Sequence, residues 1–218
     1  MYRLQKSEYI QHFPINKYFS YNVESYVEVF EYKVGDWIIE EGMNSNYLFY
    51  IHTGKAKVFV THQNGKMALI NIVGAGEFLG DMELLHEQYY SKAVQAISTM
   101  IVFAIPFKPC REPLLEDAKF LKQLAIYISE KATDMTAKYS QRLAFPLENR
   151  LAEFILQTAV DDIYREKHVL VCDYLGVSYR HLLFTLAQFC EEDILAKDGR
   201  NYRIRNKSRL IGLSEILK

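Results

Sequence analysis

Between Ala118 and Leu143 the chain holds neither proline nor glycine, while Leu121, Leu124, Ile128, Ala132, Met135, Tyr139 and Leu143 recur at intervals of three or four residues. That spacing lays one narrow apolar seam along an α-helix longer than the roughly 8–20 residues usual in globular proteins. So long a seam predicts a coiled-coil contact with a second copy of the chain, in preference to packing on the chain's own sheet. Phe145-Pro146 ends it, because proline disfavours helical geometry in the residue before it and suits the first turn of a new helix. The new helix reads Leu147, Arg150, Leu151, Phe154, Ile155, and the break between the two marks a domain boundary and hinge.

Upstream the periodicity is different. From Tyr32 the chain runs in short β-branched and aromatic segments, at residues 37–39, 47–51, 55–60 and 67–73, punctuated by Gly35, Gly42, Gly54, Asn64-Gly65, Gly74, Gly76 and Gly80. A turn signal about every ten residues predicts an antiparallel sandwich, roll or barrel, and Asn64-Gly65 is a hairpin turn. A further strand pair at 93–97 and 101–105 closes the region before Pro106 and Pro109. Residues 1–31 are aromatic and mixed, with Val23, Tyr26, Val27 and Phe30 spaced for a short helix or a strand.

Downstream, Leu175-Gly176-Val177-Ser178-Tyr179-Arg180-His181-Leu182-Leu183 has an apolar-ended helix stopping at glycine and a serine opening the next. Glycine ends helices in the left-handed region and serine caps their starts. This is the pattern of a helix-turn-helix, whose second helix enters the DNA major groove. On that helix Leu182, Leu183 and Leu186 are expected to face the domain core. Asp198-Gly199, between residues 194–196 and 202–204, predicts a hairpin that would make the unit a winged helix. Residues 197–209 carry Lys197, Arg200, Arg203, Arg205, Lys207 and Arg209 against the single acid Asp198, local positive charge that the net charge of −1 conceals.

Half of the 218 residues are hydrophobic, enough for a packed core. No apolar run approaches the roughly 20 residues of a membrane span, and nothing near Met1 reads as a signal peptide, so a cytoplasmic protein without a membrane partner is expected. The three cysteines, Cys110, Cys172 and Cys190, are too few and too scattered for a disulfide framework or a CxxC metal site. Cys172 reads as a small packing residue where two helices cross. No Ser/His/Asp grouping, phosphate loop or HExxH motif points to an enzyme.

Taken in combination, Gly35…Gly42…Leu48-Phe49-Tyr50-Ile51…Gly54, Gly76-Glu77-Phe78-Leu79-Gly80-Asp81, Asn149-Arg150-Leu151-Ala152 and Leu175 to Arg180 resemble the CRP/FNR family of bacterial transcription regulators, and within it the YeiL type. The resemblance covers most of the chain. It implies an α+β protein in three parts: a cyclic-nucleotide-binding-type antiparallel β-roll over residues 1–116, a long dimerisation helix over 117–144, and a winged helix-turn-helix over 145–218. It further implies a homodimer on a palindromic double-stranded DNA operator, with RNA polymerase as a further candidate partner.

Matched residue by residue, Ser178 faces a phosphate, Tyr179, Arg180 and Phe184 occupy base-reading positions, and His181 lies nearer the backbone. Gly199, Arg200 and Arg203 form the phosphate-gripping wing. For Tyr179 and Phe184 the alternative is packing, or contact with a thymine methyl. In the roll, Gly80 and Asp81 match the glycine and acid of the family's effector pocket, but the Arg-Ser pair that neutralises a cyclic phosphate falls on Ser91-Lys92. A lysine meets an anion as a point charge without a bidentate fork, so cyclic AMP is not expected. An FNR-type iron-sulfur cluster is not expected either, as no cysteine precedes Cys110, nor is haem, since His52, His62 and His86 are unaccompanied. The alternative reading is a small-molecule-binding module whose winged helix contacts protein instead of DNA.

Overall fold

A computed structural model describes residues 1–9, 11, 14–43, 45–86 and 91–217. Its compact units are Met1–Ala132 and Thr133–Lys218.

The first unit contains strands β1 (Tyr2–Arg3), β2 (Glu28–Tyr32), β3 (Trp37–Ile39), β4 (Tyr47–Thr53), β5 (Lys55–Thr61), β6 (Met67–Gly74) and β7 (Phe78–Leu79). A short helix α1 (Asp81–Leu85), strands β8 (Ala93–Ala96) and β9 (Met100–Pro106), and helix α2 (Phe107–Glu116) follow. The strands form two antiparallel sheets, β1-β2-β9-β4-β7 and β3-β8-β5-β6. The expected strands are all present. β2 includes Phe30, in the segment whose spacing suits a short helix or a strand; Glu28 and Glu31 interrupt its apolar run.

β4 is apolar through its middle instead of alternating because both of its faces are buried. Phe49 and Ile51 enter the core with Phe30, Val94 and Val102, while Leu48 and Tyr50 enter a second core with Val29, Phe78, Phe103, Phe107 and Leu114. A strand buried on both faces has no polar side to show. Between β4 and β5, Gly54 has φ +90°, and a Cβ there would lie 2.5 Å from the Thr99 carbonyl oxygen, so glycine alone fits.

Helix α3 (Ala118–Ala144) is the uninterrupted rod that the sequence predicts. Asp117 caps it, its carboxylate accepting from the Lys119 and Phe120 amides at 2.9 and 3.2 Å and from the Ser20 amide at 2.7 Å. Burial alone would raise this carboxyl's pKa, but these hydrogen bonds hold it below the usual range.

The seam divides. Leu124 is 2% exposed within its own chain, and Ile128 packs against the same core. This part of the helix therefore lies on the chain's own roll, which corrects the expectation that the whole seam faces a partner. Leu121 is half-buried, Ala132 is exposed, and Met135, Tyr139 and Leu143 are 50%, 65% and 78% exposed.

The second unit contains α4 (Leu147–Thr158), β10 (Ile163–Tyr164), α5 (His168–Leu175), α6 (Tyr179–Glu191), β11 (Leu195–Asp198), β12 (Asn201–Ile204) and α7 (Lys207–Glu215). Leu147, Leu151, Phe154 and Ile155 bury one face of α4. β10, β12 and β11 form a three-stranded sheet in that order. The wing turn is Gly199-Arg200, one residue beyond the expected Asp198-Gly199, since Asp198 pairs with Asn201 in the ladder. Lys207 and Arg209 lie on α7, which Asn206 caps by accepting from the Arg209 amide at 3.0 Å, so the basic run is part wing and part helix.

Candidate nucleic-acid interface

α5 ends at Gly176, whose φ of +66° is left-handed, and the Val177 amide donates back to the Cys172 carbonyl at 3.0 Å. Ser178 is extended, and its hydroxyl accepts from the His181 amide at 3.2 Å, capping α6. Arg150 donates to the Leu175 carbonyl at 2.6 Å, tying the end of α5 to α4. The turn is thus fixed on three sides by hydrogen bonds.

α6 buries Leu182, Thr185, Leu186 and Phe189 and exposes Tyr179, Arg180, His181, Leu183 and Phe184. Leu183 corrects an expectation: at 38% exposure it stands on the outer face, one helical step of about 100° from the buried Leu182. Phe184, 68% exposed, is not a packing residue. Tyr179 approaches a residue that the sequence did not flag, His168, with its hydroxyl 3.5 Å from Nδ1. Burial, and then the nearby Lys197 charge, lower the His168 pKa, so the ring is neutral at pH 7.

In the wing, Gly199 and Arg200 sit at the exposed tip. Arg203 lies 3.5 Å from Asp198, Arg205 lies 3.7 Å from Asp193, and Lys207 lies 3.1 Å from Asp162. Among the described residues, neither Arg180 nor Arg200 forms an ion pair. Cys110 is buried and Cys172 and Cys190 are half-buried, with burial pushing all three thiols up.

The roll positions named for an effector lie close together but are engaged internally. Gly80 has φ +83°, and a Cβ there would come within 2.4 Å of the Tyr47 carbonyl oxygen and 3.5 Å of the Ser45 hydroxyl. Ser91 is buried and accepts from the Ser45 amide at 3.4 Å; Lys92 beside it is half-buried. Asp81, 4% exposed, is met by the Lys131 ammonium of α3 at 3.1 Å. That ammonium also sits 5.4 Å from the Tyr127 ring centre. The Tyr127 phenol, held protonated by burial, donates to the Phe78 carbonyl at 3.0 Å. Lys131 carries no local signal in the sequence, because it stands fifty residues from its partner. Among the described residues no group of three or more His, Cys, Asp or Glu could hold a metal ion, and no helix is long and apolar enough to cross a membrane.

Residues 29–116 match the cyclic nucleotide-binding domain family. The chain is 39% identical over 193 residues to the regulatory protein YeiL of Escherichia coli O157:H7, covering 88% of each. The chain belongs to the CRP/FNR family of transcription regulators. This CRP/FNR-family chain is also 23% identical over 136 residues to the cAMP-activated global transcriptional regulator CRP of Escherichia coli O6:H1, covering 62% of this chain and 65% of that one. The fold likewise matches a crystal structure assigned to the CRP/FNR family, from Eubacterium rectale, with a TM-score of 0.74 at 14% identity over 94% of this chain and 99% of that one.

Proposed function

We propose that this CRP/FNR-family regulator acts as a homodimer that binds a palindromic double-stranded DNA operator sequence-specifically and meets RNA polymerase there. The observation that carries the reading is α6: capped by Ser178, buried along Leu182, Leu186 and Phe189, and presenting Arg180 and His181 outward, in the unit that also exposes Arg200 at the wing tip. Arg180 takes the guanine contact, because its planar fork matches the O6 and N7 acceptors. The Ser178 turn and the wing grip phosphates. Met135, Tyr139 and Leu143 supply the apolar stripe for a second copy.

The roll does not take cyclic AMP on this reading. The positions that would meet the phosphate hold Ser91 and Lys92, and the acid at Asp81 is neutralised by Lys131. The residues present do not fit the nucleotide.

Selection of binding sites from genomic DNA with the full chain, followed by gel shifts with Arg180→Ala, tests this. The variant should lose about 1–3 kcal/mol and relax one base position. An unchanged sequence preference overturns the assignment of Arg180, and absence of binding to any DNA overturns the reading as a whole. Native mass spectrometry of the same material should give the mass of a dimer without added nucleotide.

A further inference from the structure

The outer face of α6 is unusual for a helix that reads bases. Arg180, Leu183, Phe184 and Ala187 are exposed and lie on one stripe, three and four residues apart. Tyr179, 51% exposed, stands at its start. From Tyr179 to Ala187 the helix contains no Asp, Glu, Asn or Gln. It therefore has no carboxylate to accept from cytosine N4 and no amide to pair with adenine N6 and N7. Gln188, further along, donates to Glu192 at 3.0 Å.

The stripe has one cationic fork, Arg180, and is otherwise apolar, with His181 exposed alongside it. Its apolar side chains are not needed by the domain core, which Leu182, Leu186 and Phe189 already fill. In the major groove a base edge offers one apolar feature, the C5 methyl of thymine.

Resting on the DNA-binding reading above, we infer that Phe184 and Leu183 are specificity-determining residues that read thymine methyl groups. The operator half-site then consists of a guanine under Arg180 flanked by A·T pairs whose thymines lie against this stripe. A·T pairs are recognised by excluding water from a methyl group, and a G·C pair at those positions is rejected because it offers Phe184 only polar edges.

The test changes the DNA and leaves the protein intact. Once a site has been selected with the full-length wild-type chain, each half-site thymine is replaced singly by uracil, which keeps the base pair and removes only the methyl. At the thymines facing α6 the wild type should bind about fourfold more weakly per methyl removed, the worth of one buried carbon. With Phe184→Ala that thymine-over-uracil preference should disappear at one position, and because Phe184 is exposed the circular dichroism spectrum should be unchanged. Sequence-specific binding that is indifferent to uracil, or a selected half-site with no thymine, overturns the methyl readout and leaves the DNA-binding reading standing. Absence of selection for any DNA overturns both.

Discussion

The Lys131 ammonium lies 3.1 Å from the Asp81 carboxylate, joining the middle of α3 to the first residue of α1. Asp81 is almost wholly buried, while the Lys131 side chain keeps about a quarter of its surface in water. Removing the lysine alone strands a carboxylate away from solvent. Lys131→Met should therefore destabilise the chain by about 1–3 kcal/mol in urea unfolding, and adding Asp81→Asn should return part of the loss. Additive losses in the double variant would mean that the two groups do not interact.

The wing gives a salt-dependent prediction. Arg200 has no acidic partner among the described residues, whereas Arg203 is already paired with Asp198. Arg200→Ala should lower the slope of log affinity against log salt by about 1, as expected for one lost phosphate contact. Arg203→Ala should lower it less. Anisotropy titrations across a salt series measure both, and equal slopes for Arg200→Ala and wild type would remove Arg200 from the interface.

His168 sets a pH dependence whose sign follows from its lowered pKa. Above the ordinary imidazole value of 6.5 the ring is neutral in both folded and unfolded chains. As pH falls below that value the unfolded chain takes up the proton first, so stability drops until the folded pKa is passed. His168→Gln should flatten that stretch of the unfolding-against-pH curve. A wild-type curve that rises as pH falls below 6.5, with the rise absent in the variant, would contradict the burial of His168.

The cysteines should be slow to react. With thiol pKa values raised by burial, little thiolate is present at neutral pH. Iodoacetamide should leave Cys110 unmodified in the native chain and label it fully in urea, with Cys172 and Cys190 intermediate, as read by mass spectrometry. Rapid native labelling of Cys110 would contradict its burial.

Much of the fold can be read from periodicity, because strands such as β4 and the rod of α3 are long, regular and bounded by glycine or proline. The misreadings share a cause, which is that residue type stands in for position. Leu183 reads as core because it is leucine, yet it lies one step round the helix from Leu182. The basic run after Lys197 is continuous in charge, yet Asn206 starts a new helix inside it. In the candidate site, the Ser178 cap and the exposed Arg180 follow from local sequence. The pairs Asp81–Lys131 and Tyr179–His168 do not, since chain folding alone brings them together.

Along β4, neighbouring residues belong to different cores: Leu48 and Tyr50 to one, Phe49 and Ile51 to the other. A strand shared in this way is a party wall. Neither room can be emptied while the other stays furnished, so the N-terminal unit should melt in one cooperative event and a cavity cut on either side should weaken both.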